Sequence, residues 1–206
     1  ATTGFAYVIN HGVDEALVDQ VFAASRAFHA LPLAEKMTVS LNDLHRGYIA
    51  INTSTDVNSK LADVKKPNQS ASFMMMHEDE IAREDVYLSG PNQWPALPGF
   101  RQALETYNYA MNGLGEKLMQ LALLACEVQD TSTLAGFQPA TTWLRLLHYP
   151  PMPAQSHDDL YGSAPHTDFG CLTILAQDGV GGLQVQTPAG QWIDAPKING
   201  SFVVNV

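Results

Sequence analysis

Apolar residues recur along this chain in two rhythms, a helical one in the first two-thirds and a strand-like one from about residue 141 onward. The run Phe5 to Ile9, closed by His11-Gly12, reads as a strand. Asp14 then stands where a helix N-cap belongs, followed by Leu17, Val21, Ala24 and Phe28 at helical spacing on one face. Val13 and Val18 occupy the two positions of a hydrophobic staple, and Pro32 closes the segment. A second, longer helical pattern runs from Pro98 to about Gln129, with Phe100, Leu104, Tyr107, Met111, Leu114, Leu118, Leu121 and Ala125 as its buried stripe. Gly113 and Gly115 weaken it, and either split it or allow a neighbour to pack closely. Between them, residues 41–99 show no sustained period and are rich in Asn, Ser and Pro, so they are expected to be irregular. The Met74-Met75-Met76 run within them, next to Phe73, reads as packing, with a soft substrate wall as the alternative.

In the last third, alternation over Trp143 to Tyr149 puts Trp143, Arg145, Leu147 and Tyr149 on one strand face and Leu144, Leu146 and His148 on the other. The apolar run Cys171 to Leu175 reads as a second strand. A bend at Gly179 to Gly182 follows, and Leu183 to Gln186 and Gln191 to Asp194 flank a Thr187-Pro188-Ala189-Gly190 turn as a hairpin. Ser201 to Val206 reads as a further strand.

Just before that second strand stands Pro165-His166-Thr167-Asp168-Phe169-Gly170. If the segment is extended, an imidazole and a carboxylate two residues apart point to the same side. Nitrogen and oxygen donors of this kind make two-thirds of the facial triad of non-haem Fe(II) oxygenases, and a second His is expected downstream. A bare His-x-Asp is also what a surface turn produces; the strand, glycine bend and hairpin behind it are what favour the metal. His11 is read as structural, and His29, His77, His148 and His157 as solvated or hydrogen-bonded, since none has a partner at ligand spacing.

Several segments, in order, carry a resemblance: Gly4-Phe5-Ala6-Tyr7-Val8-Ile9-Asn10-His11-Gly12, His45-Arg46-Gly47-Tyr48, Gly90-Pro91-Asn92-Gln93-Trp94-Pro95, Arg145-Leu146-Leu147-His148-Tyr149-Pro150, His166-Thr167-Asp168 and Gly182-Leu183-Gln184-Val185. Together they resemble the isopenicillin N synthase-like branch of the Fe(II)/2-oxoglutarate-dependent oxygenases. The resemblance implies a mainly β fold with flanking helices, a double-stranded β-helix (jelly-roll) behind an N-terminal helical layer. As one domain, residues 1–135 would form the helical and loop region and 140–206 the first part of the jelly-roll. It implies Fe(II), 2-oxoglutarate and O2 as cofactor and cosubstrates, a small-molecule substrate, and His166 and Asp168 as metal ligands. Tyr149 would face the iron cavity and bond the cosubstrate, or else be a barrel-core aromatic. Arg145, on the same strand face, must find an anion, either a structural carboxylate or the cosubstrate's. The family often has Asn where this chain has Leu147, which removes one polar contact. His45, Arg46 and Tyr48 lie where relatives take substrate contacts, with a surface turn as the alternative. Hydroxylation is the implied outcome, with desaturation or ring closure as variants.

The chain begins without Met and ends inside a strand, so the expectation is a fragment cut before the second metal His and an Arg-x-Ser that would grip 2-oxoglutarate, binding iron weakly. Two other classes therefore stay open: an Fe(II)/O2 oxidase that does not use 2-oxoglutarate, and an inactive jelly-roll or binding fragment.

Composition narrows the partners. With 206 residues and 46% hydrophobic content the chain can bury a core. Its 21 acidic and 11 basic residues, net −10, argue against nucleic acid or an anionic membrane, which reward basic patches. Two cysteines, Cys126 and Cys171, placed in expected helix and strand, lack framework spacing, which points to a reducing, cytoplasmic compartment.

Overall fold

The computed structural model describes residues 3–54, 64–128, 132–138, 140–152 and 160–206. His157 lies outside the described residues. The chain divides into two compact units: residues 1–22, 105–136 and 168–206 form one, and residues 23–104 and 137–167 the other.

In the first unit, β1 (Phe5–Ile9) pairs antiparallel with a late strand, Ser201–Asn205, in the register Phe5 to Asn205 and Ile9 to Ser201. That late strand also pairs antiparallel with Thr173–Leu175, so the order is first, last, middle. Phe202, Val203 and Val204 of the central strand are buried, as a strand covered on both faces requires. The anticipated hairpin is present: Gln184–Gln186 pairs with Trp192–Asp194, and Gly190 N donates to Thr187 O across the turn at 2.9 Å.

In the second unit, Gly47–Ile49, Ala71–Met76 and Trp143–His148 form an antiparallel sheet in that order. The first two of these strands overturn the expectation that residues 41–99 are irregular. Ala71–Met76 is buried on both faces and built of Ala, Ser, Phe and Met, so it shows neither alternation nor β-branched residues. Met75 and Met76 are core, as packing residues would be. Numbered in chain order, the strands are β1, β2 (Gly47–Ile49), β3 (Ala71–Met76), β4 (Trp143–His148), β5 (Thr173–Leu175), β6 (Gln184–Gln186), β7 (Trp192–Asp194) and β8 (Ser201–Asn205).

Helix α1 (Glu15–Ala30) starts as expected: the Asp14 carboxylate accepts from Ala16 N at 2.9 Å, and the Asp14 carbonyl from Val18 N at 3.2 Å. Its Phe28 sits in an aromatic cluster with Phe73 (5.1 Å between centroids), Phe100 (5.3 Å) and Tyr48 (5.8 Å). Short α2 (Leu33–Met37) begins directly after Pro32, whose fixed φ suits a helix entry.

The long helix α3 spans Phe100–Ala125, uninterrupted by its two glycines. Neither glycine marks a close approach: a Cβ at Gly115 would make only an ordinary contact, 4.0 Å from the Ile174 side chain, and one at Gly113 would meet nothing within 4 Å. Phe100, Leu104, Tyr107 and Leu114 are buried as the stripe requires, but Leu121 is 60% exposed and Ala125 is exposed. Periodicity fixed the phase of the stripe and could not say where its cover ends. The short α4 (Ser132–Ala135) follows. Among the described residues no helix is long and apolar enough to cross a membrane.

Candidate metal and cosubstrate site

His166 and Asp168 lie in an irregular segment ahead of β5, which begins only at Thr173. Strand parity therefore does not place them, and Cys171 lies in a bend rather than a strand. Cys126 likewise follows the end of α3. Both cysteines are exposed and neither forms a disulfide.

A hydrogen bond orients each candidate ligand. His166 Nδ1 lies 2.7 Å from Ala164 O. A carbonyl only accepts, so Nδ1 carries the proton and the lone pair of the neutral ring sits on Nε2. Metal-binding histidines are commonly set this way, with the second ring nitrogen donating to a backbone carbonyl. Asp168 Oδ2 accepts from Asn205 Nδ2 at 2.9 Å, the hydrogen-bonded state usual for a ligating carboxylate. The nitrogen and oxygen donors fit Fe(II). Among the described residues no group of three or more His, Cys, Asp and Glu side chains is gathered as a metal would need.

On β4 the parity expectation matches the burial in the middle of the strand: Leu146 is buried, while Trp143 and Arg145 are exposed. His148, at the strand's end, departs from it and is exposed. Arg145 Nε donates to Ser72 Oγ at 3.0 Å, anchoring the guanidinium plane on a fully buried hydroxyl of β3. Tyr149, just past β4, is 50% exposed, which speaks against a barrel-core aromatic within this chain. Its ring lies over Gly162, where a Cβ would come within 3.0 Å of Cδ1.

The His45 to Tyr48 loop is a correction. Arg46 is 1% exposed, and its guanidinium donates to Leu44 O (2.8 Å), Leu88 O (2.6 Å) and His77 O (2.9 Å). Burial lowers its pKa, with Glu78 and Asp79 acting in the opposite sense. The guanidinium thus ties three chain segments together from the interior, where the expectation had it at the surface of a loop. Tyr48 is buried in the aromatic cluster, and that burial raises its phenol pKa. Gly47 between them is required: its φ is +118°, and a Cβ there would collide with the Val39 carbonyl oxygen. Only His45, in the left-handed region at φ 59°, is exposed. Gln93 completes the knot, its Nε2 donating to Ser40 O and Arg46 O, both at 2.6 Å.

The remaining histidines behave as expected. His11 Nδ1 accepts from Val13 N at 3.2 Å, and its ring packs 4.4 Å from Phe202. His29 stacks on His148 at 4.9 Å and donates from Nε2 to Leu146 O at 3.3 Å; its pKa is lowered to about 4, mainly by burial. His77 lies 3.8 Å from Asp79, whose carboxyl is held below its usual range chiefly by the Ser89 hydroxyl.

Two residues escaped the sequence reading: Asn205, which holds Asp168, and Asn68, which accepts from Ala164 N at 2.9 Å. Asn205 left a signal, an amide in the otherwise apolar run Phe202 to Val206.

Residues 1–97 match the family model for the N-terminal region of non-haem dioxygenases in morphine synthesis, and residues 140–206 match that of the 2OG-Fe(II) oxygenase superfamily. The chain belongs to the 2OG-Fe(II) oxygenase superfamily. It is 34% identical to the 2-oxoglutarate-Fe(II) type oxidoreductase hxnY of Emericella nidulans, over 98% of this chain and 60% of that protein. It is 31% identical to homoarginine-6-hydroxylase of Arabidopsis thaliana, over 98% of this chain and 62% of that protein. The crystal structure of a full-length Neurospora crassa protein in complex with alpha-KG and thymine superposes with a TM-score of 0.82 at 28% identity, over 99% of this chain and 64% of that one. The jelly-roll class expected from the resemblance is the fold of these neighbours. The chain spans 60–65% of the length of the curated relatives it matches.

Proposed function

We propose that the whole protein is an Fe(II)- and 2-oxoglutarate-dependent dioxygenase that hydroxylates a small organic molecule, with His166 and Asp168 as two of the metal's ligands. The observation that carries this reading is the orientation of His166, whose Nδ1 is committed to Ala164 O so that Nε2 holds the lone pair. Asp168 supplies the oxygen donor two residues on, within about 7 Å along the chain. When bound, Fe(II) couples decarboxylation of 2-oxoglutarate to O2 reduction, giving succinate and CO2, with one oxygen atom in succinate and the other on the substrate.

The chain's own residues bind and orient. Arg145, its fork fixed on Ser72, offers a dianionic cosubstrate charge-assisted hydrogen bonds, and the exposed Tyr149 can donate one more. The exposure of His45 supports it as the member of its loop that contacts substrate. The two exposed, unbridged cysteines support a reducing, cytoplasmic setting, and the acidic balance supports a small molecule over nucleic acid.

The test is succinate formation from 2-oxoglutarate in the presence of Fe(II) and O2. Asp168→Ala should abolish it, and Tyr149→Phe should raise the 2-oxoglutarate requirement while leaving metal affinity unchanged. Leu147 in place of an amide favours one alternative, an oxidase that consumes O2 without 2-oxoglutarate; turnover in the absence of 2-oxoglutarate would establish it.

A further inference from the structure

We propose that Asn68 is a positioning residue for His166, acting through Ala164 to fix which ring nitrogen carries the proton. The inference rests on the reading of His166 as a metal ligand.

The relay has two links. The Asn68 side-chain oxygen accepts from Ala164 N at 2.9 Å, a buried bond, and Ala164 O lies 2.7 Å from His166 Nδ1. Asn68 is 6% exposed and Ala164 is buried, so both ends of the first link are shielded from competing water. Asn68 is itself pinned by its backbone: its N–H donates to Ser54 O at 2.8 Å, and its carbonyl accepts from Asn52 N at 3.3 Å. The next residue repeats the grip, Gln69 N donating to Tyr161 O at 2.8 Å. Residues 161 and 164 are thus clipped to one short stretch.

Fixing the amide of Ala164 also fixes its carbonyl, because the next residue is Pro165. A residue before proline is confined to extended backbone, so its ψ has little freedom. With the amide held by Asn68 and both φ and ψ confined by Pro165, the direction of Ala164 O is restricted to a narrow range. That carbonyl accepts only from a protonated Nδ1, which leaves Nε2 as the donor to a metal. An asparagine suits the task because its acceptor does not titrate.

The decisive measurement is the ring-nitrogen NMR of His166 in the metal-free chain at a pH where the ring is neutral, with Co(II) titrations alongside. Wild type should show the Nδ1–H form. Asn68→Ala should populate the Nε2–H form and weaken Co(II) binding roughly 10-fold, the lower end of the cost of losing a histidine's outer partner. Asn68→Asp, which keeps the accepting oxygen, should retain the wild-type tautomer. An unchanged tautomer in Asn68→Ala, or its loss in Asn68→Asp, overturns the proposal, and the second variant decides if the first does not fold. His166→Ala tests the underlying reading separately: unchanged Co(II) affinity there would remove His166 from the metal, while the tautomer still decides the role of Asn68.

Discussion

His45-Arg46 and His166-Thr167-Asp168 each set a histidine beside a charged residue, and they meet opposite environments. Arg46 is interior, with guanidinium N–H groups on three backbone carbonyls drawn from three parts of the chain. His166 and Asp168 are exposed side chains, oriented by a carbonyl and an amide. A buried cation whose hydrogen bonds end on backbone is committed to the fold, because its own N–H groups would be stranded away from water without those carbonyls. His166 and Asp168 instead keep their side chains at the surface, where a ligand can reach them. The two histidines His29 and His166 repeat the contrast: each turns a ring nitrogen to a carbonyl, but the other nitrogen of His29 is buried without a hydrogen-bond partner among the described residues.

The sharpest way to break this comparison is Arg46→Ala. It should lower unfolding free energy by about 4 kcal/mol, because the packing of a buried side chain and its charge-assisted hydrogen bonds to three backbone carbonyls are lost together. Metal affinity per folded molecule should stay at the wild-type value; denaturant titration and Co(II) binding read the two effects.

His29 gives the next effect, through pH. Its folded pKa, about 4, lies below the ordinary value of 6.5, chiefly because of burial, with His148 and Lys36 adding repulsion. The unfolded chain therefore takes up a proton first, and stability falls as pH drops from 6.5 towards about 4. The loss is at most about 3 kcal/mol. His29→Phe should flatten that part of the profile, and an unaltered urea midpoint against pH would show that the ring is not held neutral.

For the exposed pair, Asp168→Ala should weaken divalent metal binding about 100-fold, roughly 2.7 kcal/mol. Its unfolding free energy should move by less than about 0.5 kcal/mol. The smallest effect belongs to Tyr48→Phe, with a stability change under about 1 kcal/mol and no change in 2-oxoglutarate-dependent turnover. Lost turnover with intact stability would return Tyr48 to the substrate.

Much of the fold was legible where periodicity and punctuation agree. β1, the capped start of α1, the phase of α3, β4 and the β6–β7 hairpin each combine a repeating apolar pattern with a Gly, Pro or Asp at the boundary. β3 was hidden because Ala71 to Met76 is covered on both sides and carries no alternation. The bare end of α3 was hidden because Leu121 has the right spacing but is left uncovered in this chain. At the candidate site, residue types pointed to His166 and Asp168, but nothing local to Arg46 announced that distant carbonyls of His77 and Leu88 would close around it. The support from Asn68 was equally illegible, since it reaches Ala164 across 96 residues.

The central claim is that the 166–168 segment, and not the His45 loop or the His77-Asp79 pair, takes the metal. Paramagnetic line broadening in the 15N-labelled chain titrated with Mn(II) tests it most directly, because it locates even weak binding. Broadening should centre on His166 to Asp168 and disappear in Asp168→Ala. Broadening centred on His45 or on His77 and Asp79, surviving in that variant, would contradict it.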